Sequence, residues 1–210
     1  HEVISVEFLP IYLSQFSKYL SKKFQIGSPV YNFSRFQAEL LKIIDQEKID
    51  LILPTCEEIF YISKLKNIIP EKTTLFCEDF SLLSHLHSKG DFIQLLKKNQ
   101  FCIPRTFQLN NYSNELSGQK VVLKKIFSRF ASNVYIINEA EIESLNLQKN
   151  EWVVQEFIPG LEGSIYALFN NGDICAYSCY LKEYSISGGA TIIFKHYNGT
   201  EILNWLKKFS

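Results

Sequence analysis

Methionine is missing from all 210 positions, including the first. The chain opens instead on His1-Glu2-Val3-Ile4-Ser5-Val6, which is already strand-like, so we expect part of a longer polypeptide. Neither sign of charge is in excess: 22 basic residues balance 22 acidic ones, and the formal net charge is zero. That balance excludes a nucleic-acid-coating surface, which needs a basic surplus. No apolar run is long enough to cross a bilayer, and no secretory leader is visible. Cysteine is sparse and odd in number, at positions 56, 77, 102, 175 and 179, mostly inside apolar runs. A scattered odd set speaks against a disulfide framework and for buried, reduced thiols in a cytoplasmic protein. Cys175 and Cys179, four apart on an expected strand, share a face and are read as core, because no His stands beside them at zinc-ligand spacing. His85 and His87 are two apart on an expected helix and point away from each other, which excludes a shared metal. No glycine-rich fingerprint follows any strand, so ordinary dinucleotide binding is unsupported. There is no internal repeat and no low-complexity tract.

What is present is an alternation of short elements. Residues 3–9 read as a strand, and residues 11–23 carry apolar side chains at 13, 16 and 20, a helical rhythm. Residues 33–46 form an amphipathic helix with Phe33, Phe36, Leu40, Ile43 and Ile44 on one stripe. A short buried strand is expected over 50–55, a helix over 57–66 and a strand over 75–77. Strand alternating with helix argues for a parallel sheet with helices on its faces, whose ligands sit at the carboxyl ends of the strands. Here that edge is Pro54-Thr55-Cys56-Glu57-Glu58. Glu57 and Glu58 can meet an amine there, or simply complement a helix dipole.

Helices are expected over 80–87 and 91–100, with Lys89 at the break between them, then an extended segment over 101–106 and a polar loop over 110–119. Strands over 121–126 and 134–137, a helix over 139–147 and a strand over 152–158 make a compact α+β unit. Pro159-Gly160 stops the last strand. Residues 164–169 and 174–180 form a hairpin around Asn171-Gly172, since a type I′ turn needs positive φ twice. Ser187-Gly188-Gly189 reads as a turn, 191–194 as a strand and 199–209 as a helix with Glu201 near its start and Lys207-Lys208 near its end.

Four places carry candidate chemistry. In Val121-Val122-Leu123-Lys124-Lys125, alternation sends the two lysines to opposite faces, so one points into a sheltered space. Such an amine suits a phosphate as a point charge; the alternative is an edge strand charged against aggregation. The loop Phe127 to Asn133, small residues plus Arg129, can fold its N–H groups and a guanidinium over a polyphosphate. Lys89 is either a ligand or a solvated lysine. Lys182 ends the hairpin beside Glu183, and Glu156 and Glu162 flank the Pro-Gly corner, either as a pocket reading hydroxyls and amines or as solvated acids.

The order of these pieces resembles the ATP-grasp superfamily, in its carbamoyl phosphate synthetase-like and carboxylate–amine ligase branch. Ser88-Lys89, then Phe92-Ile93-Gln94-Leu95, then Ile103-Pro104-Arg105-Thr106 resemble the entry to an ATP-grasp domain. Val121-Val122-Leu123-Lys124 with Ser128-Arg129-Phe130 resembles its second lysine and phosphate loop. Trp152 to Gly160 with Glu162 and Ser164 resembles its adenine hinge and ribose acid, and Lys182-Glu183-Tyr184 with Gly188-Gly189-Ala190 the segment that follows. The resemblance implies an α/β fold: an N-terminal Rossmann-like, pre-ATP-grasp domain over 1–84, then an ATP-grasp α+β module incomplete at its C-terminus. That module comprises a small lid subdomain over 85–158 and the start of the large subdomain over 159–210.

Roles follow from the same resemblance. Lys89 and Lys124 hold ATP phosphates, and Ser128 to Ser132, Arg129 included, close over them. Backbone groups around Glu156, Phe157 and Ile158 read adenine, with Gln155 or Glu156 accepting from its exocyclic amine. Glu162 takes the ribose hydroxyls, and Lys182 faces the γ-phosphate as the catalytic lysine. The implied activity is ATP- and Mg2+-dependent joining of a small-molecule carboxylate to an amine through an acyl phosphate, with a homodimer left open. The implied magnesium ligands belong to a strand after the last helix, so none is assigned within the chain, and turnover by this stretch alone is not expected. Lys125 replaces a frequent proline and the phosphate loop lacks glycine. The alternative is an ATP-binding sensor or partner subunit of the same fold without chemistry; a third is an unrelated α/β protein.

Overall fold

A computed structural model describes residues 1–129, 133–185 and 191–209. The chain divides into two compact units, His1–His87 and Ser88–Ser210.

In the first unit, strands β1 (Ile4–Glu7) and β2 (Lys22–Gln25) pair in parallel. Helix α1 (Phe33–Gln46) follows, its first turn capped by the Asn32 side chain, which accepts from the Arg35 N–H at 3.0 Å. β3 (Leu51–Ile52) and β4 (Thr74–Leu75) make a second parallel pair, with the short helix α2 (Ile59–Ile62) between them and α3 (Phe80–His87) after them. The expected stripe of α1 is the core: Phe36, Leu40, Ile43 and Ile44 are buried against Ile26, Ile62, Leu65 and Ile69. Each strand adds one side chain to that cluster, namely Val6, Phe24, Ile52 and Leu75. The parallel alternation is thus present as two hydrogen-bonded pairs rather than one continuous sheet.

Two expectations fail here for identifiable reasons. The helix over 11–23 is absent; a single 3-10 turn (Leu13–Phe16) leads into β2 instead. Leu13 and Phe16 are 92 % and 78 % exposed, so the apolar rhythm has no surface to pack on, and pairing with β1 decides the segment. The strand at 50–55 shrinks to two residues and is not buried throughout, because Leu51 and Leu53 face outward while Ile52 faces the core.

The second unit starts with α4 (Lys89–Lys98). Ser88 is its N-cap, accepting from the Asp91 N–H at 3.3 Å, so Lys89 is the first helical residue rather than a linker residue. Strands β5 (Thr106–Gln108), β6 (Lys120–Lys125), β7 (Val134–Asn138) and β8 (Trp152–Glu156) form an antiparallel sheet in the order β5-β8-β6-β7. Its register pairs Gln155 with both Val122 and Thr106, and Lys124 with Val153 and Val134. One face is apolar: Val121, Leu123, Trp152 and Val154 are buried with Leu109, Leu116 and Ile142. Ile142 lies in a 3-10 segment (Glu139–Leu145) where a longer helix is expected from the sequence. Lys124, Gln155 and Thr106 share the opposite face.

β9 (Gly163–Asn170), β10 (Asp173–Ser185) and β11 (Thr191–His196) form a second antiparallel sheet, ordered β11-β10-β9. The β9–β10 turn has φ of 50° at Asn171 and 88° at Gly172, as the Asn-Gly pair demands. Helix α5 (Thr200–Phe209) packs Trp205 and Phe209 edge-on against Phe101, and Phe209 also meets Phe169 of β9. Cys175 and Cys179 do not share a face. A bulge between Ile174 and Ala176 shifts the alternation, so Cys179 is buried and Cys175 exposed. Cys56 and Cys102 are exposed as well, against the expectation of buried thiols, and all five cysteines are free. No described helix is long and apolar enough to cross a membrane.

Candidate nucleotide-phosphate site

The carboxyl end of β6 and the start of α4 are tied together. The Lys89 N–H donates to the Ile126 carbonyl at 3.2 Å. Its ammonium donates to the Ser128 carbonyl at 2.9 Å, to Ser128 Oγ at 3.2 Å and to the Ile126 carbonyl at 3.4 Å. Ser128 Oγ donates in turn to the Lys125 carbonyl at 3.2 Å. Lys89 therefore anchors the loop that leaves β6, a function for which a single lysine in sequence gives no sign.

Lys124 projects from the polar face of the same sheet, and its ammonium donates to Gln155 Oε1 at 2.7 Å. Burial lowers its pKa from the ordinary 10.5. The Lys89 pKa is lowered too, first by burial and then by the positive charges of Lys124 and Arg129. Lys124 and Arg129 are thus both close enough to Lys89 to disfavour its charge. Desolvated ammonium groups such as Lys89 and Lys124 are stabilised by an anion placed beside them. Lys125 points the other way and pairs with Glu151 at 3.0 Å. Phe130, Ala131 and Ser132 of the candidate phosphate loop lie outside the described residues, as does the stretch holding Gly188, Gly189 and Ala190.

Alternation sends Glu156 to the face opposite Lys124. Its carboxylate accepts from the Arg105 backbone N–H and from Arg105 Nε, both at 2.8 Å, and Arg105 Nη2 continues to Gln119 Oε1 at 2.7 Å. Arg105 holds the Glu156 carboxyl below its ordinary pKa. The Glu156 N–H donates to the Arg105 carbonyl and the Phe157 N–H to the Lys120 carbonyl. Lys120 also places its ammonium 4.8 Å from the Phe157 ring centroid. Ile158, the next residue, is 61 % exposed. Hence the side-chain oxygens of Gln155 and Glu156 are both engaged within the protein. Arg105 is a partner that sequence reasoning missed. Its only signal was its place in the Pro104-Arg105-Thr106 segment, 51 residues from Glu156.

Lys182 lies in β10 of the other sheet, and Glu162 immediately precedes β9. Their side chains pair at 2.6 Å, and the Lys182 N–H donates to the Glu162 carbonyl at 2.8 Å. With Ser164 and Tyr180 they line a shallow depression. The structure thus brings Lys89 of α4 and Ser128 of the loop after β6 together near the end of the sheet that carries Lys124 and Gln155, and pairs Glu162, just before β9, with Lys182 of β10. In the first unit Glu58 Oε1 accepts from the Thr55 and Cys56 N–H groups at 2.7 and 2.9 Å, so its carboxylate closes its own turn.

A lysine-bearing antiparallel sheet is thus followed in chain order by a hairpin sheet with an acid–lysine pair at its edge. The chain belongs to the ATP-grasp domain family, which matches residues 86–202, more than half of its length. Among solved structures it is similar to an L-amino acid ligase from Bacillus licheniformis, with a TM-score of 0.72 and 13 % identity over 99 % of this chain and 59 % of that one. It is also similar to the biotin carboxylase domain of 2-oxoglutarate carboxylase from Hydrogenobacter thermophilus in complex with MgADP (TM-score 0.63, 9 % identity, 86 % of this chain and 45 % of that one). A third is D-alanine–D-alanine ligase from Bacillus anthracis complexed with ATP (TM-score 0.56, 12 % identity, 96 % of this chain and 73 % of that one). The chain thus spans 59 % and 45 % of the first two proteins. No curated protein sequence matches it significantly.

Proposed function

We propose that this chain carries the ATP-binding part of an ATP-dependent carboxylate–amine ligase that works through an acyl phosphate. The carrying observation is the gathering of Lys89, Lys124 and Arg129, two of them with lowered pKa, at one end of the β6–β8 sheet. Family membership makes a polyphosphate the natural anion. The donor set fits one: two ammonium groups act as point charges and a guanidinium adds a forked donor.

In this reading Lys89, Lys124 and Arg129 hold the phosphates, with Ser128 keeping the loop against Lys89. The backbone at Glu156 to Ile158 reads adenine, Glu162 takes the ribose hydroxyls and Lys182 faces the γ-phosphate. ATP supplies a phosphoryl group: a carboxylate oxygen of the first substrate bonds to phosphorus and ADP leaves. The amine of the second substrate then attacks the activated carbon and phosphate leaves. Such a transfer needs positioning and cationic stabilisation more than a protein nucleophile. The lysines and Arg129 meet that need, and partial burial of Lys124 strengthens its attraction for an anion placed beside it. No group of three or more His, Cys, Asp or Glu side chains able to hold a metal ion stands among the described residues.

The test is hydroxylamine trapping in the intact protein with ATP and a panel of carboxylic acids and amino acids. A hydroxamate formed with one acid, alongside ADP, supports the ligase. ATP binding with no acid-dependent ADP or hydroxamate across the panel overturns it in favour of a binding subunit.

A further inference from the structure

The Lys124 ammonium has one described acceptor, Gln155 Oε1, and as a donor-only group it has no bond to make with the NH2 end of that amide. The same orientation is held from one strand further on. Thr106 is the direct cross-strand partner of Gln155, on the same face of the sheet. Thr106 Oγ1 lies 2.9 Å from the Pro104 carbonyl oxygen, which can only accept, so the hydroxyl's single proton goes there. Toward Gln155, Thr106 Oγ1 is therefore only an acceptor, and it takes Gln155 Nε2 at 2.7 Å. With Nε2 held, Oε1 has to face Lys124. Gln155 is 9 % exposed, so water does not readily replace either bond.

We propose that Thr106 is a positioning residue for nucleotide binding: the relay Pro104 carbonyl, Thr106 hydroxyl, Gln155 amide, Lys124 ammonium fixes where the lysine presents its charge to a polyphosphate. The inference deepens the nucleotide reading above and rests on it for its binding arm. It also explains why an amide serves at position 155. A carboxylate there neutralises Lys124 and offers Thr106 no donor, whereas the amide orients the ammonium and leaves its charge for the ligand. Loss of the Thr106 acceptor strands a buried N–H group and frees the amide to turn, which slackens the lysine.

The experiment uses four variants: Thr106→Val, Thr106→Ser, Gln155→Glu and the double Thr106→Val/Gln155→Glu. The first readout needs no nucleotide: proton exchange of the Gln155 side-chain amide, followed by NMR. The relay predicts slow exchange in the natural chain and in Thr106→Ser, and faster exchange in Thr106→Val. The second readout is ADP binding by calorimetry. Thr106→Val weakens it roughly tenfold, Thr106→Ser restores it to within about twofold, and Thr106→Val costs nothing further once residue 155 is Glu. Equal exchange in the natural chain and Thr106→Val overturns the relay whatever ADP does. So does an equal loss of ADP binding from Thr106→Val in both backgrounds, which marks a general packing effect. No ADP binding by the natural chain, with the exchange pattern as expected, overturns the nucleotide reading and leaves the relay standing.

Discussion

Replacing Lys124 by methionine should separate binding from stability. Burial disfavours the charge of this ammonium, which has one described acceptor and stands near a second lysine that it repels. Methionine keeps the stem's volume and removes both penalties. Against that gain, Gln155 Oε1 loses its donor, a cost of about 1–3 kcal/mol for a buried acceptor left unpaired. Removing a poorly compensated buried charge returns a similar amount, so folding stability should change by no more than about 1 kcal/mol in either direction. A charge-assisted hydrogen bond to a phosphate is worth about 1.5–3 kcal/mol, so nucleotide affinity should fall roughly 10- to 150-fold. Urea denaturation of both chains and calorimetric titration with ATP give the two numbers. A variant destabilised by more than about 3 kcal/mol that still binds ATP normally would refute the reasoning, because Lys124 would then be a structural lysine.

Nucleotide binding should take up protons at alkaline pH. The lowered pKa values of Lys89 and Lys124 rise again beside an anion, so calorimetric heats will depend on buffer ionisation enthalpy in the window below 10.5. The same shifts imply that, without ligand, these two groups make stability rise with pH through that window, because the unfolded chain holds more protons there than the folded one. Glu156→Gln should flatten the acid limb of the stability profile. Arg105 depresses the Glu156 pKa, so its contribution is full above the ordinary 4.5 and is lost as pH falls through the folded-state value. The pair is partly exposed, which keeps the effect near about 0.5–1 kcal/mol, read from urea titrations across the acid range. Leu123→Ala, at a fully buried position beside Lys124, should cost about 2–5 kcal/mol in the same assay, and a loss below about 1 kcal/mol would mean that this face of the sheet is loosely packed.

What was legible in the sequence was local or periodic. Helix α1 matches its apolar stripe, since five side chains spaced by three and four leave a single packing solution. The Asn171-Gly172 turn is fixed by backbone sterics alone. The lysines of β6 split between two faces as alternation requires, with Lys124 on the polar face. What was not legible depends on partners far along the chain. Arg105 claims Glu156 from 51 residues away, and Thr106 claims Gln155 from 49. The missing helix over 11–23 is the same lesson at shorter range, because a four-residue strand paired with β1 outweighs a rhythm that has nothing to bury against. The β10 bulge moved Cys175 out of register, and a bulge leaves no mark in alternation read from one strand. Local elements were therefore readable where they depended on pattern along the chain, and side-chain partners unreadable where they depended on which strands pair.

The most direct measurement is a backbone amide NMR titration of the protein with ATP, with and without Mg2+. The account predicts shifts concentrated at Lys89, Lys124 to Arg129 and Gln155 to Ile158, with a second set at Glu162 and Lys182. ATP binding that leaves the Lys124 and Gln155 amides unmoved, or shifts confined to residues 1–87, would contradict it.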